Sequence, residues 1–292
     1  AEALGIASSD LLTTSMCADC HGTKAEFAGE VKVIGGVSCE SCHGASGGPD
    51  GWLNRHQSYH DAQPVPRQLE TPEHKQQRQE ACDKAGMIRA SSIYDQASAC
   101  LQCHVISNEA LILAGHKAST AAFEYSSWTE GETRHNFLLD RTKNAEAPSI
   151  WLEGNTGKAV ERKRMKFVLG KLAQLEMALR ARAAAKNPAT FAQFGASFTG
   201  ILYGNLAPIS AAAPESPLPA LNAQLLPLGG TFFIPGGDDA EKYGKAADDV
   251  AAAAKKFAVE NDGSKLQAVD GQMNLLAPYF SQNFKTRFLS NP

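Results

Sequence analysis

Six of the seven cysteines fall in pairs at one spacing, and each pair is followed at once by a histidine. The three copies are Cys17-Ala18-Asp19-Cys20-His21, Cys39-Glu40-Ser41-Cys42-His43 and Cys100-Leu101-Gln102-Cys103-His104. Two residues between the sulfurs let both reach the vinyl groups on one edge of a porphyrin. The next residue turns beneath the ring and offers its imidazole to the iron. The pattern therefore reads as three covalent haem c groups, anchored by Cys17, Cys20, Cys39, Cys42, Cys100 and Cys103. Zinc also takes paired cysteines, but it does not need a histidine directly after the second one. A thioredoxin-like redox pair would sit near a βαβ pattern, and none is visible. A disulfide framework would scatter its spacings. Cys82 has no partner and reads as a buried small hydrophobe, with a reactive thiol as the alternative.

Each haem iron has two axial positions. His21, His43 and His104 fill three of the six. Five histidines remain, His56, His60, His74, His116 and His135, and no histidine or cysteine follows His135. Three of the five are enough to give every iron a second imidazole. Methionine is the other common distal ligand. Met16 abuts Cys17 and cannot easily fold over its own haem. Met87 is possible but lies in a region with no other haem signal, and Met165, Met177 and Met273 read as helix core.

The residues around the motifs add to this. Gly36-Val37-Ser38-Cys39-Glu40-Ser41-Cys42-His43-Gly44 is followed by Gly51-Trp52-Leu53-Asn54-Arg55-His56. Further on come Cys103-His104-Val105, Leu113-Ala114-Gly115-His116, Phe123-Glu124 and Arg134-His135-Asn136-Phe137. In this order, over about residues 15–140, the chain resembles the cytochrome c554-like family of multihaem cytochromes. The resemblance implies His56, His116 and His135 as distal ligands, with His60 in reserve for His56. His74 matches nothing in it and reads as a surface residue. Two departures stand out. Lys117 replaces a proline expected after His116, and a fourth haem site found in related members has no counterpart. The comparable stretch, Phe191 to Gly200, holds aromatics but neither Cys nor His.

The elements that must position these groups differ between the two halves. Residues 1–145 are rich in glycine, serine and short loops, as expected of a trihaem domain whose haems form much of the core. Residues 146–292 read as a haem-free helical domain. Met165, Val168, Leu169, Leu172, Leu175 and Leu179 keep a helical period, so a helix is expected over about 157–186, ending before Asn187-Pro188. The segment 204–237 holds six prolines and reads as a long irregular connection. Ala240 to Val259 reads as a helix, and Leu266, Val269 and Met273 mark another. No alternating strand of useful length is visible. The expected fold is mainly α with extensive loops, an N-terminal multihaem module packed with a C-terminal helical region.

Composition narrows the function further. The formal charge is −3, which argues against a protein living on phosphate contacts with nucleic acid. No run of 18 apolar residues occurs, so no transmembrane helix is expected. The chain opens Ala1-Glu2-Ala3, which reads as a mature, periplasmic or otherwise extracytoplasmic chain after signal-peptide removal. Two imidazoles per iron leave no open position, so the leading expectation is an electron carrier between redox partner proteins, and not an enzyme. The haem-free half could dock it in a larger electron-transfer complex. The alternative is a haem enzyme with one open iron acting on a small nitrogen oxide or peroxide, with Arg55, Tyr59 and His60 as candidate helpers.

Overall fold

The computed structural model describes residues 2–10, 16–48, 50–56, 69–116, 123–131 and 159–275. The fold is mainly α with loops. By their internal packing the residues group into two compact units, Ala1–Cys103 and His104–Pro292. The domain boundary expected near residue 145 lies outside the described residues.

In the first unit, α1 (Ala18–His21) is followed by a hairpin of β1 (Thr23–Phe27) and β2 (Glu30–Gly35). This hairpin corrects the expectation that no strand would be found. Ala28 and Gly29 form its turn with φ of 52° and 82°. Positive φ at both central residues gives the turn the twist that antiparallel strands need. The strands escape a reading based on alternation because β2 buries no side chain: Val31 and Ile34 are both exposed. Next come α2 (Cys39–His43), α3 (Leu53–His56), α4 (Pro72–Lys84) and α5 (Ile93–His104). Ser38 starts α2 with a capping box, its hydroxyl accepting from Glu40 N–H while Ser41 Oγ accepts from Ser38 N–H. Thr71 caps α4, with Pro72 in the first turn, where no N–H is needed.

Among its described residues the second unit consists of helices joined by turns and loops, with no strand. It comprises α6 (Glu109–Leu113), α7 (Tyr125–Gly131), α8 (Ala159–Ala184), α9 (Phe191–Ile201), a π-helical turn (Leu202–Leu206), α10 (Ala207–Ala212), α11 (Leu218–Gly229), α12 (Asp239–Glu260) and α13 (Asp270–Leu275). α8 is the spine, and α9 and α12 pack along it. Its stripe of Val168, Leu169, Leu172, Leu175 and Leu179 is buried as its period requires. α12 answers with Ala246, Ala247, Val250, Ala254 and Phe257, of which the alanines allow close approach. α9 is the aromatic stretch without Cys or His, and it buries Phe191, Phe194 and Phe198.

The segment 204–237 is not an irregular connection: most of it is helix. Pro219 sits in the first turn of α11, where a missing N–H removes no bond, and Pro208 follows directly on the π-helical turn. Pro217 is the N-cap of α11, and Pro227 lies near that helix's end. Leu218, Leu221 and Leu225 form a buried stripe that the prolines mask in the sequence.

Candidate functional site

The three Cys-x-x-Cys-His stretches each occupy a helical turn. Cys17 is the N-cap of α1 and its carbonyl accepts from His21 N–H at 2.9 Å. Cys39 opens α2, and Cys100 and Cys103 lie in the last turns of α5. Residues three apart share a helix face, so both sulfurs of a pair leave on one side. A single turn thus brings two thiols and one imidazole together, the donor set that covalent haem needs.

The second turn is held most tightly. His43 Nδ1 donates to the Ile88 carbonyl at 2.7 Å, and Ile88 N–H returns a bond to the His43 carbonyl at 3.0 Å. With the proton fixed on Nδ1, the neutral ring offers its lone pair at Nε2, as an iron ligand must. Gly44 ends α2 with φ of +81°, and a Cβ there would come within 2.2 Å of the Gly86 oxygen. Only glycine fits so close an approach. Trp52 Nε1 donates to the Gly44 carbonyl at 2.7 Å, and the Glu40 carboxylate gathers the N–H groups of Ser46 and Gly47 at 2.8 and 3.0 Å. Hydrogen bonds from Ser46 hold the Glu40 carboxyl below its usual range. Cys82 is fully buried and its thiol lies 3.6 Å from the Trp52 carbonyl, so it packs as a small hydrophobe; burial pushes its pKa up.

The three turns converge on α5. Cys103 lies within hydrogen-bond reach of Cys20, and Cys100 within reach of Cys42. Those bonds bring the Cys20 and Cys42 thiols down to about 7 and push Cys103 and Cys100 up. Cys103 Sγ also lies 3.9 Å from the Asp19 carbonyl. Among the described residues, no three His, Cys, Asp or Glu side chains close on a point as a bare metal ion would need.

His104, the last residue of α5 and the first of the second unit, sits against two aromatics of that same unit. The Phe123 ring stacks on it at 3.9 Å with 14° between planes, and Trp128 lies at 5.5 Å. Burial pushes the His104 imidazole pKa down, toward the neutral form that binds metal. Glu124, beside Phe123, caps α7 by accepting from Ser126 and Ser127 N–H at 3.2 and 2.8 Å. Its charge reaches Lys171 on α8, whose ammonium burial pushes down. Phe123, Trp128 and Ile88 were not singled out as site residues from sequence, because their partners lie far away along the chain.

The distal candidates are less gathered. His56 ends the short α3. His116 is exposed just after α6, its N–H bonded to the Leu111 carbonyl at 2.9 Å. His60 and His135 lie outside the described residues. His21 is exposed beside the hairpin. His74, read from sequence as a surface residue, stands on α4 with its side chain 30% exposed and paired to Glu70.

Residues 2–44 match the family model for cytochrome c554 and c-prime. The matched stretch contains the first two Cys-x-x-Cys-His turns and supports a cytochrome c554-like family. Neither the curated proteins nor the solved structures gave a match.

Proposed function

We propose that the chain is an extracytoplasmic trihaem cytochrome that carries single electrons between redox partner proteins. Bound haem supplies a one-electron iron couple. The chain supplies everything that tunes it. Cys17 and Cys20, Cys39 and Cys42, and Cys100 and Cys103 anchor the groups as thioethers. His21, His43 and His104 bind the irons from one side. His56, His116 and His135 are the ligands on the other side that the family resemblance implies.

The observation that carries this reading is the convergence of three attachment turns on one helix. Each of the first two turns touches a cysteine of the third, so the three anchors are neighbours. Closely spaced one-electron centres suit relay of electrons. The family match over residues 2–44 supports the same class. Among the described residues no helix is long and apolar enough to cross a membrane.

Two measurements test the proposal. The denatured chain should weigh the polypeptide plus three haem masses, and a bare polypeptide mass overturns it. The oxidised protein should show only low-spin ferric iron by paramagnetic resonance. A high-spin signal in the unmodified protein overturns the carrier role in favour of an enzyme with one open iron.

A further inference from the structure

One side of α4 is organised around an imidazole that the attachment turns do not use. Glu70, His74 and Arg78 are spaced by four, so they line up along one side of the helix and its entry. The Glu70 side chain is only 6% exposed. Arg78 grips both of its oxygens, Nε to Oε1 at 2.6 Å and Nη2 to Oε2 at 2.7 Å. His74 Nδ1 lies 2.8 Å from the same Oε1. Both Glu70 oxygens already accept from Arg78, so the carboxylate faces His74 as a hydrogen-bond acceptor. The proton on the shared edge is therefore the histidine's. In the neutral ring the lone pair then sits on Nε2.

Metal-binding imidazoles are held in this way, with an oxygen acceptor on one ring nitrogen and the metal on the other. His43 is held likewise by the Ile88 carbonyl. Starting the helix does not explain the arrangement. Thr71 Oγ1 already accepts from His74 N–H at 3.2 Å, and Pro72 brings no N–H to satisfy. α4 also packs against α3, the helix that follows the second attachment turn.

We propose that His74 is an axial ligand to one of the haem irons, oriented for that role by the buried Glu70–Arg78 ion pair. The proposal rests on the trihaem reading and adds a ligand to it. Four imidazoles, His56, His74, His116 and His135, then stand for three distal positions, and one of the other three is surplus.

The test uses the haem-loaded chain. Mass of the unmodified protein comes first: fewer than three haems overturns the trihaem reading itself. With three haems present, His74→Ala should turn one iron in three from low to high spin, and added imidazole should restore it. Three low-spin irons in that variant overturn the ligand role while leaving the trihaem reading intact. Two milder variants guard against loss of folding. His74→Met should stay low-spin with one reduction potential raised, because methionine ligation raises it. Glu70→Gln should also raise one potential, since a weaker acceptor makes the imidazole a poorer electron donor. Unchanged potentials in both variants mean that this face only caps a helix, and they overturn the proposal.

Discussion

His43 and Ile88 hold each other through two hydrogen bonds, side chain to carbonyl at 2.7 Å and amide to carbonyl at 3.0 Å. The pair joins the second Cys-x-x-Cys-His turn to the segment after α4. It fixes where the imidazole points as well as which nitrogen carries the proton. Gly44 and Gly86 make the approach possible from either side of this pair.

Gly44→Ala should therefore separate the two segments. The residue has φ of +81°, and the new methyl would meet the Gly86 oxygen at 2.2 Å. A loss of about 1–3 kcal/mol is expected from strain at such a position. Urea unfolding measures it, and an unchanged midpoint would refute the contact.

Acid should weaken the α4 face. The Glu70 pKa is about 2 in the folded chain, below its unfolded value, chiefly because Arg78 hydrogen-bonds its carboxylate. A depressed carboxyl contributes stability that is fully present above the unfolded pKa of about 4.3 and lost as pH falls through the folded one. The gap in urea midpoint between the unmodified chain and Glu70→Gln should be widest near neutral pH and close as pH falls toward about 2. A gap that widens in acid would show the sign to be wrong.

Leu172 is fully buried in the middle of the α8 stripe. Leu172→Ala should destabilise the chain by about 2–5 kcal/mol, from lost burial and the cavity left behind. Denaturant melts followed by helical signal decide this. A neutral result would mean that the stripe is not the core of the second unit.

Arg182 is fully buried and grips three acceptors: the Phe232 carbonyl at 2.7 Å, the Ile234 carbonyl at 3.1 Å and Asp239 Oδ2 at 2.6 Å. Its guanidinium also stacks on Phe191 at 3.5 Å. Arg182→Ala would leave Asp239 buried without this partner, at a cost of about 3–5 kcal/mol. Arg182→Lys should recover little, because one ammonium cannot reproduce a planar fork spread over three acceptors. Full recovery by lysine in the same melts would reduce the site to simple charge pairing.

Each of His116→Ala and His135→Ala that removes a distal ligand should convert one low-spin iron to high spin and open it to carbon monoxide in the reduced state. At most one of the two can be silent if His74 takes a distal position. If both leave every iron low-spin, neither is a ligand.

What the sequence determined by itself was the local chemistry. Cys-x-x-Cys-His is read within five residues, because the spacing of two thiols and an imidazole one residue on is set by a single helical turn. The α8 and α12 helices were legible for the same reason: a stripe at period 3.6 is a local property, and they run Ala159–Ala184 and Asp239–Glu260, close to the expected bounds. The β1–β2 hairpin and the helices within 204–237 were not legible. The hairpin's alternation has no buried face to reveal it, and the helical prolines look like breaks until their places at the π-helical turn and at the ends of α11 are known. Tertiary structure alone decided what surrounds each imidazole. Ile88 reaches His43, Phe123 stacks on His104, and Cys20 meets Cys103, all across long stretches of chain. Glu70, His74 and Arg78 did carry a local signal in their spacing of four, but burial of the carboxylate is what turns a helix-surface pattern into a fixed imidazole. Hydrogen-bond direction and burial depend on which distant segment folds against a residue, and that is settled by packing of the whole chain.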